Sequence, residues 1–275
     1  MTESTTAPHG TDRVAHKPRS LWRSVAVPAE HGGWGLTFEA VLLGLLVRPS
    51  TGGVAIGVAA FAAFVARTPL KLAVVDRRRH RRLDRSALAE RVAAVELVVL
   101  LGAVAVAAVT AQRWWWVPLV GAVPFFAVEL WFDVRSRSRR LAPELSGAVG
   151  MGAVASAIAL AGGLQPSLAV GLWVVLAARA VASVPFARTQ VRRLRGHADH
   201  RRLADVSQVA AVGVVLAGWA VGAVLWSGTA AVGVLAGWNV VAMRLPVHSA
   251  KQVGMLQLVA GVAVVVATAV GVRLA

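Results

Sequence analysis

Residues 66–86 read ARTPLKLAVVDRRRHRRLDRS, and residues 187–207 read ARTQVRRLRGHADHRRLADVS. In each stretch Ala-Arg-Thr closes an apolar run, at Ala66-Arg67-Thr68 and at Ala187-Arg188-Thr189. In each a basic loop follows with the same four residues, His80-Arg81-Arg82-Leu83 and His200-Arg201-Arg202-Leu203. An apolar run that ends in a block of arginines is a membrane helix leaving the bilayer on the side that retains positive charge. A pair of such endings predicts two equivalent edges of one membrane bundle.

Composition agrees. Apolar residues make up 57% of the chain, charged residues 15%, and the mean hydropathy is +0.66. That is too apolar for a soluble domain. The excess of 29 Lys+Arg over 13 Asp+Glu suits either nucleic acid or an anionic membrane surface. The long apolar runs decide for the bilayer and its anionic headgroups, and the short basic loops tied to helix ends argue against nucleic acid. No cysteine is present, which excludes disulfides, thiolate metal sites and cysteine catalysis. Residues 1–24 are polar and have no apolar core of a signal peptide, so they read as a disordered cytoplasmic tail before a transmembrane helical domain at 25–275.

Hydropathy predicts nine spans, at 28–47, 53–75, 92–111, 115–132, 145–163, 168–186, 206–226, 228–243 and 253–272. The runs are continuous rather than alternating, which predicts an all-α bundle and no strands. With the tail inside, 23 of the 29 Lys and Arg fall on the inner side and only Arg48, Arg113 and Arg273 on the outer side. That asymmetry predicts the N-terminus in and the C-terminus out, in the inner (plasma) membrane. The break between spans seven and eight is expected at Trp226-Ser227-Gly228-Thr229, and Thr68-Pro69 and Val184-Pro185 are expected to break spans two and six near the inner edge.

Ionisable groups within spans are costly and face a cavity or a partner. Here they gather in the inner halves. Glu39 lies near the middle of the first span, and Arg67 and Lys71 in the inner half of the second, Glu96 of the third and Arg179 of the sixth. Glu129 and Asp133 end the fourth span, Glu144 begins the fifth, and Gln208, Asn239 and Gln257 join the same half. The pattern predicts a polar chamber open to the cytoplasm and sealed outward. Arg67 and Lys71 also lie close enough to the interface to snorkel. Arg179 is deeper, and is expected to pair with a carboxylate such as Glu39 or Glu96.

The segment Val27-Pro28-Ala29-Glu30-His31-Gly32-Gly33-Trp34-Gly35 is the sharpest local motif. Pro28 starts a helix at little cost, and the glycines allow close approach of a ligand or helix. Glu30 and His31 supply an acid/base pair at the membrane edge, with Trp34 as an anchor or a stacking wall.

That opening, the basic loop after span two and the late Lys251-Gln252-Val253-Gly254 segment resemble the YwiC-like family of bacterial membrane proteins. The nine-span frame resembles the UbiA superfamily of intramembrane prenyltransferases, whose two key segments also follow helices two and six. Those segments are Asp-rich in UbiA enzymes and hold Mg²⁺ against a prenyl diphosphate. Here they carry only Asp76 and Asp84, then Asp199 and Asp205, without the N-D-x-x-D-x-x-x-D spacing. No metal residue is assigned, and the cofactor stays open between Mg²⁺ and none. Arginines dominate instead, and a guanidinium holds a phosphate or carboxylate without a metal.

The resemblance implies a UbiA-like enzyme, or a non-catalytic relative, that binds an anionic amphipathic or isoprenoid molecule. Glu30, His31 and Glu39 are then the acid/base candidates. Trp34, Arg67, Lys71, Asp76, Glu96, Arg179 and Arg188 are the binding candidates. The rival is a transporter or channel for a small anion or metabolite, with Glu39 or Glu96 as a proton relay.

Overall fold

The structure, a computed structural model, describes residues 22, 25, 31–78, 84–112, 114–135, 137, 140–196, 201–246 and 249–275. Among these residues there are nine helices and no strand: α1 (His31–Val47), α2 (Thr51–Arg78), α3 (Asp84–Thr110), α4 (Val117–Val134), α5 (Leu141–Ala161), α6 (Pro166–Leu194), α7 (Arg201–Ala220), α8 (Trp226–Ala242) and α9 (Ala250–Leu274). Seven of them are long and apolar enough to cross a membrane, while α1 and α8 have 17 residues each. The protein is a polytopic helical membrane bundle. Continuous Ala, Val and Leu runs fold this way because lipid offers the backbone no partner, and a helix satisfies every amide within itself.

Both Ala-Arg-Thr segments lie inside helices rather than at their ends. Helices α2 and α6 have 28 and 29 residues, and they run straight through Pro69 and Pro185 without ending. The expected breaks are therefore absent. At 1.5 Å per residue these helices reach about 42 Å, against roughly 30 Å of hydrocarbon, so they extend beyond it. The last turn before α8 also moves from its expected place. Helix α7 stops at Ala220, and the chain turns over residues 221–225, with Gly222 at φ 73° and Ala223 N–H donating to the Gly218 carbonyl at 2.9 Å. Only glycine adopts that backbone freely.

The α1–α2, α3–α4, α5–α6 and α7–α8 turns share one end of the bundle. Gly52 packs on Ala111, Gly162 on Arg48, and Gly171 on the Ala223 carbonyl. The C-terminal ends of α2, α4, α6 and α8 lie at the other, basic end.

Helices α5 and α6 form the centre. Helix α5 packs against α4, α6, α1 and α2, and α6 against α5, α7, α8 and α9. The buried face of α5 is built from small residues, among them Gly150, Gly152, Ala153, Ala155, Ser156, Ala157 and Ala159. Close approach of backbones replaces the hydrophobic drive that lipid removes. Ile158 of α5 fills the hollow left by Gly44 of α1, and Trp173 and Leu176 of α6 lie over Gly152. Helix α3 packs chiefly on α2, and α4 chiefly on α5, so both stand at the periphery.

Candidate functional site

The intramembrane polar groups sort into three places. The deepest joins α1 to α6 and α9. Arg179 is 6% exposed and Glu39 1% exposed, and Arg179 Nη2 donates to Glu39 Oε1 at 2.6 Å and to the Gln257 carbonyl at 2.9 Å. This is the carboxylate pairing expected of Arg179, with Glu39 as the partner. Gly261, one turn after Gln257 on α9, makes room for it: a Cβ there would collide with Glu39 Oε1 and Arg179 Nη2. From Gln257 the network continues sideways. Gln257 Nε2 donates to Asn239 Oδ1 at 3.0 Å, Asn239 Nδ2 to Gln208 Oε1 at 3.3 Å, and Gln208 Nε2 to the Ala182 carbonyl at 2.8 Å. One polar band therefore links α1, α6, α9, α8 and α7. Four of its buried atoms have no protein partner: Glu39 Oε2, Arg179 Nε, Ser183 Oγ and Gln257 Oε1.

The second place is the basic end, where both arginines of the repeated Ala-Arg-Thr grip the α4–α5 hairpin. Arg67 pairs with Glu129 and lies 3.8 Å from Asp133. Lys71 donates to Asp133 Oδ1 at 2.6 Å. Arg188 donates to Glu144 Oε2 at 2.5 Å. Glu129 rests against Gly147, where a Cβ would meet its carboxylate. Arg67 and Lys71 thus have carboxylate partners as well as a route to the interface. On α6, Arg193 donates to the Met243 carbonyl at 2.9 Å, covering the C-terminal end of α8.

Asp76, 2% exposed, belongs to neither group. Arg85 donates to both of its oxygens, at 3.2 and 3.1 Å, and Ser86 Oγ donates to Oδ2 at 2.8 Å. It clips α2 to α3. With both oxygens engaged by Arg85 and Ser86 the carboxylate does not fit a Mg²⁺ ligand, and Asp205 is likewise paired, with Arg244. Among the described residues no group of three or more His, Asp or Glu side chains is placed to hold a metal ion.

The third place is a groove between α1, α2 and α3, with a cavity volume of about 450 Å³. Val41, Leu45, Val54, Gly57, Val58, Phe61, Ala62, Val65, Val95 and Val99 line it, and Glu96 is its one polar lining residue. Glu96 Oε2 is buried without a hydrogen-bond partner. Glu96 does not join Arg179. Just beyond the groove, Trp34 meets Phe64 edge to face at 5.1 Å, and Phe64 packs on Gly33. Glu30 and the side chain of His31 lie outside the described residues.

The sequence predicts a polar chamber open to the cytoplasm; the described polar groups around α6 are closely packed, and the groove between α1, α2 and α3 is apolar. Sequence reasoning listed Glu129, Asp133 and Glu144 by depth without assigning them, and it missed Gly261 altogether. The spacing of Gln257 and Gly261, one helical turn apart on α9, is the signal that was available.

No curated protein and no solved structure matches the chain. Residues 27–161, from the Pro-Ala-Glu-His-Gly-Gly-Trp opening to the last residue of α5, match the family model described as YwiC-like protein. Over that segment the chain is similar to the YwiC-like family.

Proposed function

We propose that the protein handles an amphipathic or isoprenoid molecule within the membrane, as a UbiA-like enzyme or a non-catalytic relative. The observation that carries this reading is the groove between α1, α2 and α3, apolar along its length with a single carboxylate near the basic end. Its volume is in the range of small-molecule sites. In this reading the basic end faces the cytoplasm across the plasma membrane, and the tail lies along Val54, Val58 and Val65. The head sits at the level of Trp34, Arg67 and Lys71, with Glu30 and His31 as the acid/base pair beside it. An anionic head would take the place of Glu129, Asp133 or Glu144 on arginines already positioned for a planar oxyanion.

The test is the lipid content of the protein purified into nanodiscs, read by mass spectrometry. Wild type should retain an isoprenoid or single-tailed amphiphile. Val58→Trp fills the groove from its exposed side and should lower that retention at least about fivefold, a loss of ~1 kcal/mol. Equal retention of the same lipids by both proteins would end the reading.

The polar band supports a second reading, transport of a small anion with Glu39 as proton relay. A buried ion pair that keeps one unpartnered atom on each member, flanked by two more on Ser183 and Gln257, is what a relay inside a bundle requires. Proteoliposomes should then take up a small anion in response to a pH gradient, and Arg179→Leu should abolish uptake. No uptake across a panel of inorganic and carboxylate anions would remove this reading.

A further inference from the structure

The groove has a chemical polarity of its own. Asp76 faces Arg85 at one end of the α2–α3 pair, and Gly52 faces Ala111 at the other. This antiparallel register sets Glu96 level with Val65, both on the groove wall. From Val65 to Val54 the wall extends about 16 Å at 1.5 Å per residue. Glu96 therefore closes the basic-end limit of an otherwise apolar slot.

Its electrostatic setting separates it from the arginine layer. Arg67 is engaged with Glu129 and Asp133, and Lys71 with Asp133, both carboxylates on α4. Arg85 is held by Asp76, and Arg179 by Glu39. Arg91, the nearest basic residue on α3, is five positions away and exposed. Among the described residues Glu96 Oε2 has no hydrogen-bond partner, and it is shielded from solvent. A buried polar atom without a partner costs free energy, and a hydroxyl, which both donates and accepts, recovers it. A phosphate brings to the same spot a negative charge that an apolar slot desolvates without recompense.

Resting on the amphiphile reading above, we propose that the groove selects a long-chain molecule by a hydroxyl head hydrogen-bonded to Glu96, and rejects a phosphate or diphosphate head there. The substrate class is thereby a neutral isoprenoid or single-chain alcohol. A charged headgroup, where one is involved, belongs to a second molecule held at the arginine layer.

The test uses the full-length protein in nanodiscs with a diazirine-bearing farnesol photoprobe, and three competitors of matched chain: farnesol, farnesyl diphosphate and the hydrocarbon farnesane. Farnesol should compete at concentrations about tenfold below the other two, the worth of one hydrogen bond inside an apolar slot. Glu96→Leu should bring farnesol down to the level of farnesane and leave farnesane unchanged. Glu96→Gln keeps both an acceptor and a donor, and it should retain farnesol. Tightest competition by the diphosphate on wild type would overturn the proposal, as would an unchanged farnesol-to-farnesane ratio in Glu96→Leu. Val58→Trp separates the two levels of the argument. If it suppresses labelling while the alcohol preference is missing, only the assignment to Glu96 fails. If it leaves labelling intact, the groove reading fails with it.

Discussion

At the scale of residues, the Glu39–Arg179 pair makes the most exacting demand on the fold. Two charges share a site that water does not reach, so removing one strands the other. Arg179→Leu should cost about 3–5 kcal/mol of stability, seen as a lowered midpoint of thermal unfolding in detergent. Glu39→Met combined with Arg179→Met should recover most of that loss, because paired removal leaves no orphan charge. Gly261 provides a substitution that removes neither charge. Gly261→Ala pushes a methyl into both partners and should destabilise by about 1–3 kcal/mol. Gly254→Ala on the same helix meets nothing within 4 Å and should be neutral or slightly stabilising. Depth in the sequence was enough to single out Glu39, Glu96 and Arg179. Their partners were not legible, because Glu39 and Glu96 are equally eligible by depth in runs that are apolar all round. Only the packing of α1 against α5 and α9 brings Glu39 to Arg179 and leaves Glu96 in the groove.

At the scale of elements, the α2–α3 hairpin is held at its basic end by Asp76 with Arg85 and Ser86. Asp76→Ala removes a buried carboxylate and leaves Ser86 without its acceptor. Charged hydrogen bonds of this kind are worth about 1.5–3 kcal/mol, and the variant should unfold at correspondingly lower temperature, with Asp76→Asn intermediate. The count of helices and nearly all their positions were legible, since runs of twenty apolar residues leave few alternatives. Three boundaries were not. Pro69 and Pro185 punctuate a sequence strongly, yet both lie within continuous helices, as membrane helices tolerate when neighbouring groups satisfy the backbone. The turn before α8 fell a few residues early because Gly222 ends α7 within an apolar stretch that hydropathy alone runs together. The repeated Ala-Arg-Thr changes meaning too. It marks two helical positions whose arginines close on one shared hairpin, Arg67 on Glu129 and Arg188 on Glu144.

For the whole molecule, the absence of cysteine makes orientation directly measurable. Arg137→Cys, at the basic end, should react with a membrane-impermeant maleimide only in inverted vesicles, whereas Gln112→Cys and Ala275→Cys should react in intact cells. The reverse pattern would turn the molecule over and place the arginine layer outside. The family match stops at the end of α5, yet the bundle does not divide there: Glu39 lies within the matched part and Arg179 beyond it. These two residues are 140 positions apart in the chain. A ribosome adding roughly 5–20 residues per second makes Glu39 about 7–28 s before Arg179. For that interval the first helices lie in the bilayer with a carboxylate that nothing yet answers. Synthesis therefore passes through a stage in which half the protein is inserted but not finished, and the sixth helix ends it.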